Sequence, residues 1–148
     1  MIIKLKENAN KSDIEIVIEY PVISETVHRI ENAVKSVDNL VRCQDGDDKI
    51  FFVRVSDIFY IESVDKQVFV YTKDQVYRSE LRLYQFAEKL YNFGFEQISK
   101  SCILNIYAMV SVKAIFNSKM EATLENGEKV IISRNFIASL KKRLEKML

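Results

Sequence analysis

Two short segments in the C-terminal half carry the residue types best suited to chemistry. In Phe95-Glu96-Gln97-Ile98-Ser99-Lys100-Ser101-Cys102-Ile103-Leu104-Asn105, a lysine is bracketed by serines between apolar runs. In Glu125-Asn126-Gly127-Glu128-Lys129-Val130-Ile131-Ile132-Ser133-Arg134, an apolar run ends on a serine and an arginine, with Asn135 next. Hydroxyls and cations in loops contact phosphate oxygens, and Arg or Lys also takes the acceptor edge of guanine. Neither segment holds a metal-ligand cluster, a nucleophile–base pair or a glycine-rich phosphate loop. The single histidine, His28, sits beside Val27 with no Ser, Cys or carboxylate constellation around it, so no catalytic residue is expected. Asp45-Gly46-Asp47-Asp48 lacks the ligand spacing and closing Glu of a calcium loop. No metal, cofactor or small-molecule substrate is expected.

The charge distribution fits that chemistry. Residues 97–148 carry nine Lys/Arg against four Asp/Glu, whereas residues 1–96 carry 13 against 17. A basic end favours an acidic partner such as nucleic acid, although mild clustering on an ordinary surface gives the same count. Hydrophobic residues make up 48% of the 148, enough for a packed core. Cys43 and Cys102 lie far apart, outside any Cys-x-x-Cys pair, and read as reduced, buried or half-buried thiols of a cytoplasmic protein. A redox switch at Cys102 is the alternative. Lys4 interrupts any signal-like start, and no apolar run approaches the roughly 20 residues that span a bilayer.

The elements that must position these segments are legible as changes of period. Ile2–Leu5 and Ile14–Ile18 alternate apolar and charged residues about a polar turn at 8–12, which predicts an N-terminal hairpin. After Pro21 the apolar residues Ile23, Val27, Ile30, Val34, Val37 and Val41 fall at spacings of 4 and 3, a helix face. That stripe either packs on its own hairpin or seams a homodimer, and the two are compatible. Strands follow at 50–53, 58–62, 68–71 and 75–77, joined by tight polar turns, as in an antiparallel meander. A helix over 81–90 ends before Gly94, which suits the left-handed position. Strands at 110–112, 114–116, 122–124 and 130–132 come next, with Asn126-Gly127 as a hairpin turn. Ser133 caps a last helix with Ile137, Leu140, Leu144 and Met147 inward. Lys141, Lys142, Arg143 and Lys146 read as its solvated face.

Four stretches in order resemble the LytTR family of bacterial DNA-binding domains. They are Ser56-Asp57-Ile58-Phe59-Tyr60-Ile61-Glu62-Ser63, Val68-Phe69-Val70-Tyr71-Thr72, Phe95 through Asn105, and Asn126-Gly127-Glu128 followed by Ile132-Ser133-Arg134. The resemblance runs from about residue 45 to the C-terminus. It divides the chain into a hairpin-helix extension (1–44), for dimerisation or partner binding, and a LytTR-like DNA-binding domain (45–148). It implies a mainly β (α+β), elongated fold of small antiparallel sheets with short helices, which reads double-stranded DNA through loops. Matched by position, it implies DNA contacts from Lys66 and Gln67, from Ser99, Lys100 and Ser101, and from Arg134 and Asn135. Val68, at a contact position that is polar in some members, cannot hydrogen-bond a base. Gln97 stands where many members carry Arg. Asn105 reads as a structural cap for Ile106-Tyr107-Ala108.

The first 45 residues are too short for a phosphoacceptor receiver domain and lack its alternating βα pattern. The chain therefore resembles the stand-alone members, which implies a homodimer on repeated promoter sites and control by a small membrane-bound inhibitor protein. Val27, Ile30, Val34 and Val37 are the expected dimer or partner face. The competing reading is a non-enzymatic interaction module that docks a membrane-bound partner through this helix.

Overall fold

The computed structural model describes residues 1–147. Helix α1 (Glu25–Asp38) leads into a hairpin of β1 (Leu40–Gln44) and β2 (Ile50–Arg54). Strands β3 (Tyr60–Val64), β4 (Gln67–Tyr71) and β5 (Val76–Ser79) form the meander, followed by helix α2 (Leu83–Leu90). Strands β6 (Phe95–Ser99) and β7 (Cys102–Asn105) follow. After them come β8 (Met109–Ala114), β9 (Met120–Leu124), β10 (Lys129–Ile132) and helix α3 (Arg134–Met147). All pairings are antiparallel, in a seven-stranded sheet ordered β2-β1-β5-β4-β3-β7-β6 and a three-stranded sheet ordered β10-β9-β8.

Alternation along β3 and its partners explains two cores. Ile61, Val68 and Val70 face one way, joining Val41, Cys43, Val53, Phe86, Leu90 and Ile103 in a core capped by α2. Tyr60, Cys102 and Leu104 face the other way, toward the small sheet and the inner stripe of α3: Ile137, Leu140, Leu144 and Met147. A strand with both faces apolar is what a layer between two cores requires. Asn105 joins the halves: its buried amide donates to Ile58 O at 2.8 Å, and its Oδ1 accepts from Tyr107 N at 3.0 Å. Gly94 takes the left-handed conformation (φ +89°), where a Cβ would collide with the Tyr107 ring.

The structure corrects four expectations. The alternating segments at 2–5 and 14–18 pair with no strand; only the turn between them forms, with Lys11 N–H on Asn8 O at 3.1 Å. An isolated two-stranded ribbon is marginal without a third strand or a covering helix, and no strand or helix among the described residues pairs with it. The helical stripe stops before Val41, which is a core residue of β1. Phe116 does not extend a strand but opens a 3-10 turn, Phe116–Ser118, with Asn117 and Ser118 at positive φ. Arg143 is not solvated. Its guanidinium donates to Glu96 (2.9 Å), to Phe95 O (2.7 Å) and to Tyr91 O, and lies 3.9 Å from the Tyr91 ring centroid.

Helix α1 starts on a Ser24 cap, whose Oγ accepts from Val27 N–H, and has Glu25 in its first turn, where a carboxylate favours the dipole. It packs against the Val55–Asp57 and Tyr91–Phe93 turns and against α3. Val27, Ile30 and Val34 are half-buried, while Val37 remains 50% exposed. Strand β1 pairs with β2 and, through Gln44 opposite Arg78, with β5, so the large sheet draws strands from both sides of residue 44.

Candidate nucleic-acid interface

The antiparallel register decides where the polar turns go. Strand β3 climbs to Val64 and reverses through Asp65-Lys66 into β4. Both turn residues have positive φ (+49° and +67°), the backbone of a two-residue hairpin turn that matches sheet twist. Non-glycine residues are strained in that region, so the turn holds Lys66 in a conformation the chain would not choose locally. On the other flank of β3, Glu62 lies opposite Cys102 of β7. The β6–β7 turn at Lys100-Ser101 therefore reaches the same end of the sheet, and Ser63 N–H donates to Ser101 O at 2.8 Å.

The third segment arrives by a different route. Ile132 closes the β10–β9 ladder opposite Met120, and Ser133 N–H then donates to Ile98 O of β6 at 2.8 Å. Arg134 follows as the first residue of α3, with Asn135 beside it, both exposed. Helix N-terminal N–H groups and the positive end of the dipole add to the arginine's attraction for a phosphate. Lys66, Gln67 and Lys100 are exposed too, and neither Lys100 nor Arg134 forms an ion pair among the described residues. The two sites predicted from the β6–β7 turn and the α3 start are thus brought together, with the β3–β4 turn at the same end.

A cleft of about 400 Å³ lies between the second and third segments, lined by Tyr60, Glu62, Ser99, Ser101, Lys129 and Ser133 among others. Its mouth is preset by local bonds. Ser101 N–H donates to Ser99 Oγ at 3.2 Å, and the two hydroxyls are 3.4 Å apart. Gln97 Nε2 donates to Ser99 O at 2.9 Å, across the β-bulge between Gln97 and Ser99. Gln97 shapes this turn from within rather than reaching out. Val68 is 4% exposed and belongs to the core, which leaves Lys66 and Gln67 as the exposed side chains of the β3–β4 turn nearest it.

Sequence reasoning missed two cations here. Arg82, just before α2, donates from Nη1 to Lys66 O at 3.3 Å and so stands against the β3–β4 turn. Lys129 lines the serine cleft and lies 3.8 Å from Glu121. Arg82 carried no signal in the chain because its partner lies 16 residues upstream, and Lys129 is set beside Glu121 by the β9–β10 pairing.

The thiols are protected. Burial pushes Cys43 up to about 11, and burial followed by the Glu62 charge pushes Cys102 up to about 12. A redox-sensing cysteine needs thiolate character and access, and Cys102 has neither. Burial, then the Glu128 carboxylate, also raises the Tyr60 hydroxyl, whose ring stacks on Tyr71 at 4.2 Å.

Cationic turns and a helix start presented at one end of a β framework define a β-type nucleic-acid-binding domain. Among the described residues, strands separate each α-helix from the next, so there is no helix-turn-helix pair. Comparison with known proteins makes the class particular. Residues 48–145 match the model of the LytTr DNA-binding domain, and the chain belongs to that family. It is 32% identical over 138 residues to an uncharacterized HTH-type transcriptional regulator of Staphylococcus aureus strain MRSA252, covering 93% of each chain. It is 29% identical over 99 residues to the sensory transduction protein LytT of Enterococcus faecalis, covering 67% of this chain and 41% of that protein. The LytTr DNA-binding domain of a Bacillus cereus protein superposes with a TM-score of 0.68 at 22% identity, covering 72% of this chain and 97% of that one. That likeness shows the fold. Membership of the family carries DNA binding in transcription regulation. No helix among the described residues is long and apolar enough to cross a membrane.

Proposed function

We propose that this protein is a sequence-specific transcription regulator that binds double-stranded DNA as a homodimer on repeated promoter sites. Base and phosphate contacts come from three segments: Lys66 and Gln67; Ser99, Lys100 and Ser101; and Arg134 and Asn135. The observation that carries this reading is their convergence. Segments 32 or more residues apart reach one end of the molecule through the β3–β4 and β3–β7 registers and the Ser133–Ile98 bond. Arg134 is the base reader, since its fork suits guanine O6 and N7, and the serines and Lys100 position the backbone. The exposed part of the α1 stripe, around Val37, is left for contact with a second copy or another protein.

The test is titration of the full chain onto a labelled fragment of its own upstream DNA, with a scrambled fragment as competitor, at two salt concentrations. Salt-dependent, selective binding is expected, weakened by about 1–3 kcal/mol in Arg134→Ala with relaxed sequence preference. Equal affinity for both fragments, unchanged in Arg134→Ala, would overturn base reading through α3.

A further inference from the structure

Strand β2 is an unguarded sheet edge. Among the described residues it pairs only with β1 in the strand order, whereas β6 at the opposite edge is covered by α3 and bonded to Ser133. The phase of the β1–β2 ladder follows from its two ends. Asp45 N–H bonds Lys49 O and Val55 N–H bonds Asn39 O, so residues 51, 53 and 55 face β1. By the antiparallel alternation, Ile50, Phe52 and Arg54 aim their N–H and C=O groups outward. Edges of this kind are normally blunted by charge, proline or a covering element. Here Phe52 is 67% and Ile50 46% exposed.

A groove of about 550 Å³ borders the same strand. Phe51, Phe52, Val53 and Arg54 all line it, with Phe59, Tyr77 and the 72–75 turn across from them. Successive side chains point to opposite faces, so four consecutive residues can line one groove only if it runs along the strand's edge.

The chain also holds a strand-like segment with no ladder. Asp13–Tyr20 alternates acidic and apolar residues, and Ile14, Ile16 and Val17 are all more than half exposed. We propose that residues 13–20 of one copy of this chain add as an antiparallel strand to β2 of a second copy. The register that satisfies both sequences sets Glu15 opposite Arg54, Ile16 opposite Val53, Val17 opposite Phe52 and Ile18 opposite Phe51. Tyr20 then falls beside Lys49. Ile16 and Ile18 enter the groove beside Phe51, Val17 covers Phe52, and acidic Glu15 meets basic Arg54 on the face that Val17 and Phe52 share.

The occupant is a second copy because α1 leads the segment away from its own groove. Arg29 of α1 bonds Met147 O at the end of α3, while Asn39 beyond the other end of α1 bonds Val55. A 14-residue helix is about 21 Å long, so α1 carries the arm away from β2. The five steps from Tyr20 to Glu25 span at most about 18 Å, and in this register Tyr20 must lie at Lys49, the end of β2 farther from Val55. The exchange is reciprocal: each copy gives an arm and receives one. It supplies an interface for the dimer in the function proposed above and rests on that part of the reading.

Two measurements on the full-length chain test it. Differently tagged Val17→Cys and Phe52→Cys variants are mixed and mildly oxidised; Cys43 and Cys102 are buried and do not compete. A disulfide joining the two tags is expected. Its absence, or a disulfide formed only within a single chain carrying both substitutions, overturns the proposal. In sedimentation, Glu15→Arg and Arg54→Glu should each weaken dimerisation about tenfold, and the pair together should restore it. A dimer indifferent to Glu15→Arg overturns the assignment; because that residue lies on an exposed arm, its substitution does not threaten folding. Half-site DNA titration of the same variants separates this proposal from the DNA reading. A wild-type chain that sediments as a monomer yet binds DNA selectively defeats the arm exchange alone, and a dimer linked 17 to 52 that binds no DNA defeats the DNA reading alone.

Discussion

Replacing Arg143 by alanine should destabilise the protein far more than its place in a lysine-rich helix end suggests. The guanidinium and Glu96 are each only 13% exposed at the side chain, and their 2.9 Å pair is therefore poorly screened. The same group donates to Phe95 O and Tyr91 O and covers the Tyr91 ring. Together these contacts clamp α3 to β6 and to the turn that follows α2. Removing one partner of a buried pair costs about 3–5 kcal/mol, chiefly because the other charge is left uncompensated. The slight exposure lets water soften that cost, so about 3 kcal/mol is expected. At 148 residues this corresponds to a fall in Tm of roughly 10 °C. Urea denaturation followed by circular dichroism measures it, with Lys142→Ala, on the exposed face, expected to stay within about 0.5 kcal/mol of the parent. Adding Glu96→Gln to Arg143→Ala should recover part of the loss, since the stranded charge is gone. An Arg143→Ala protein within about 1 kcal/mol of the parent would refute the clamp and return Arg143 to the solvated face.

Other consequences follow from the same geometry. Asn105→Ala removes the bonds to Ile58 O and Tyr107 N at a position 5% exposed, and should cost about 2–3 kcal/mol in the same denaturation assay, with native far-ultraviolet dichroism retained. The two thiols make stability fall at alkaline pH. An unfolded cysteine ionises near 9, whereas folding holds Cys43 protonated to about 11 and Cys102 to about 12. The unfolded state therefore loses protons first, and stability present below pH 9 is lost as pH rises toward 12. Cys102→Ala should flatten that decline in denaturation measured at stepped pH; an unchanged slope would exclude the thiol as its source. Native protein should also resist alkylation at pH 8 until denaturant is added.

Much of the framework was legible as period. The meander of β3, β4 and β5, the helix before Gly94, the Asn126-Gly127 turn and the inner stripe of α3 all rest on interactions within a few residues, which local sequence encodes directly, whereas the strand at 50–54 does not join that meander but pairs with β1. The same reasoning failed at residues 2–5 and 14–18, where alternation predicts a strand but cannot say which strand receives it. Arg143 was misread because its partners lie 47 to 52 residues upstream, and a charge among lysines gives no sign of them.

The residue chemistry of the interface was a property of the sequence alone: hydroxyls beside Lys100, a serine before Arg134, and a basic C-terminal third. Its assembly was not. Only the pairing of β3 with both β4 and β7, and the bond from Ser133 to Ile98, carry the separate turns to one end of the molecule. The tertiary structure likewise buried Val68, brought Arg82 and Lys129 alongside the turns, and left the outer edge of β2 without a partner strand among the described residues. The physical reason is range. Propensity and capping act over a turn of chain, whereas registers between strands 30 or more residues apart are chosen by burying two apolar faces at once, and only the folded core makes that choice.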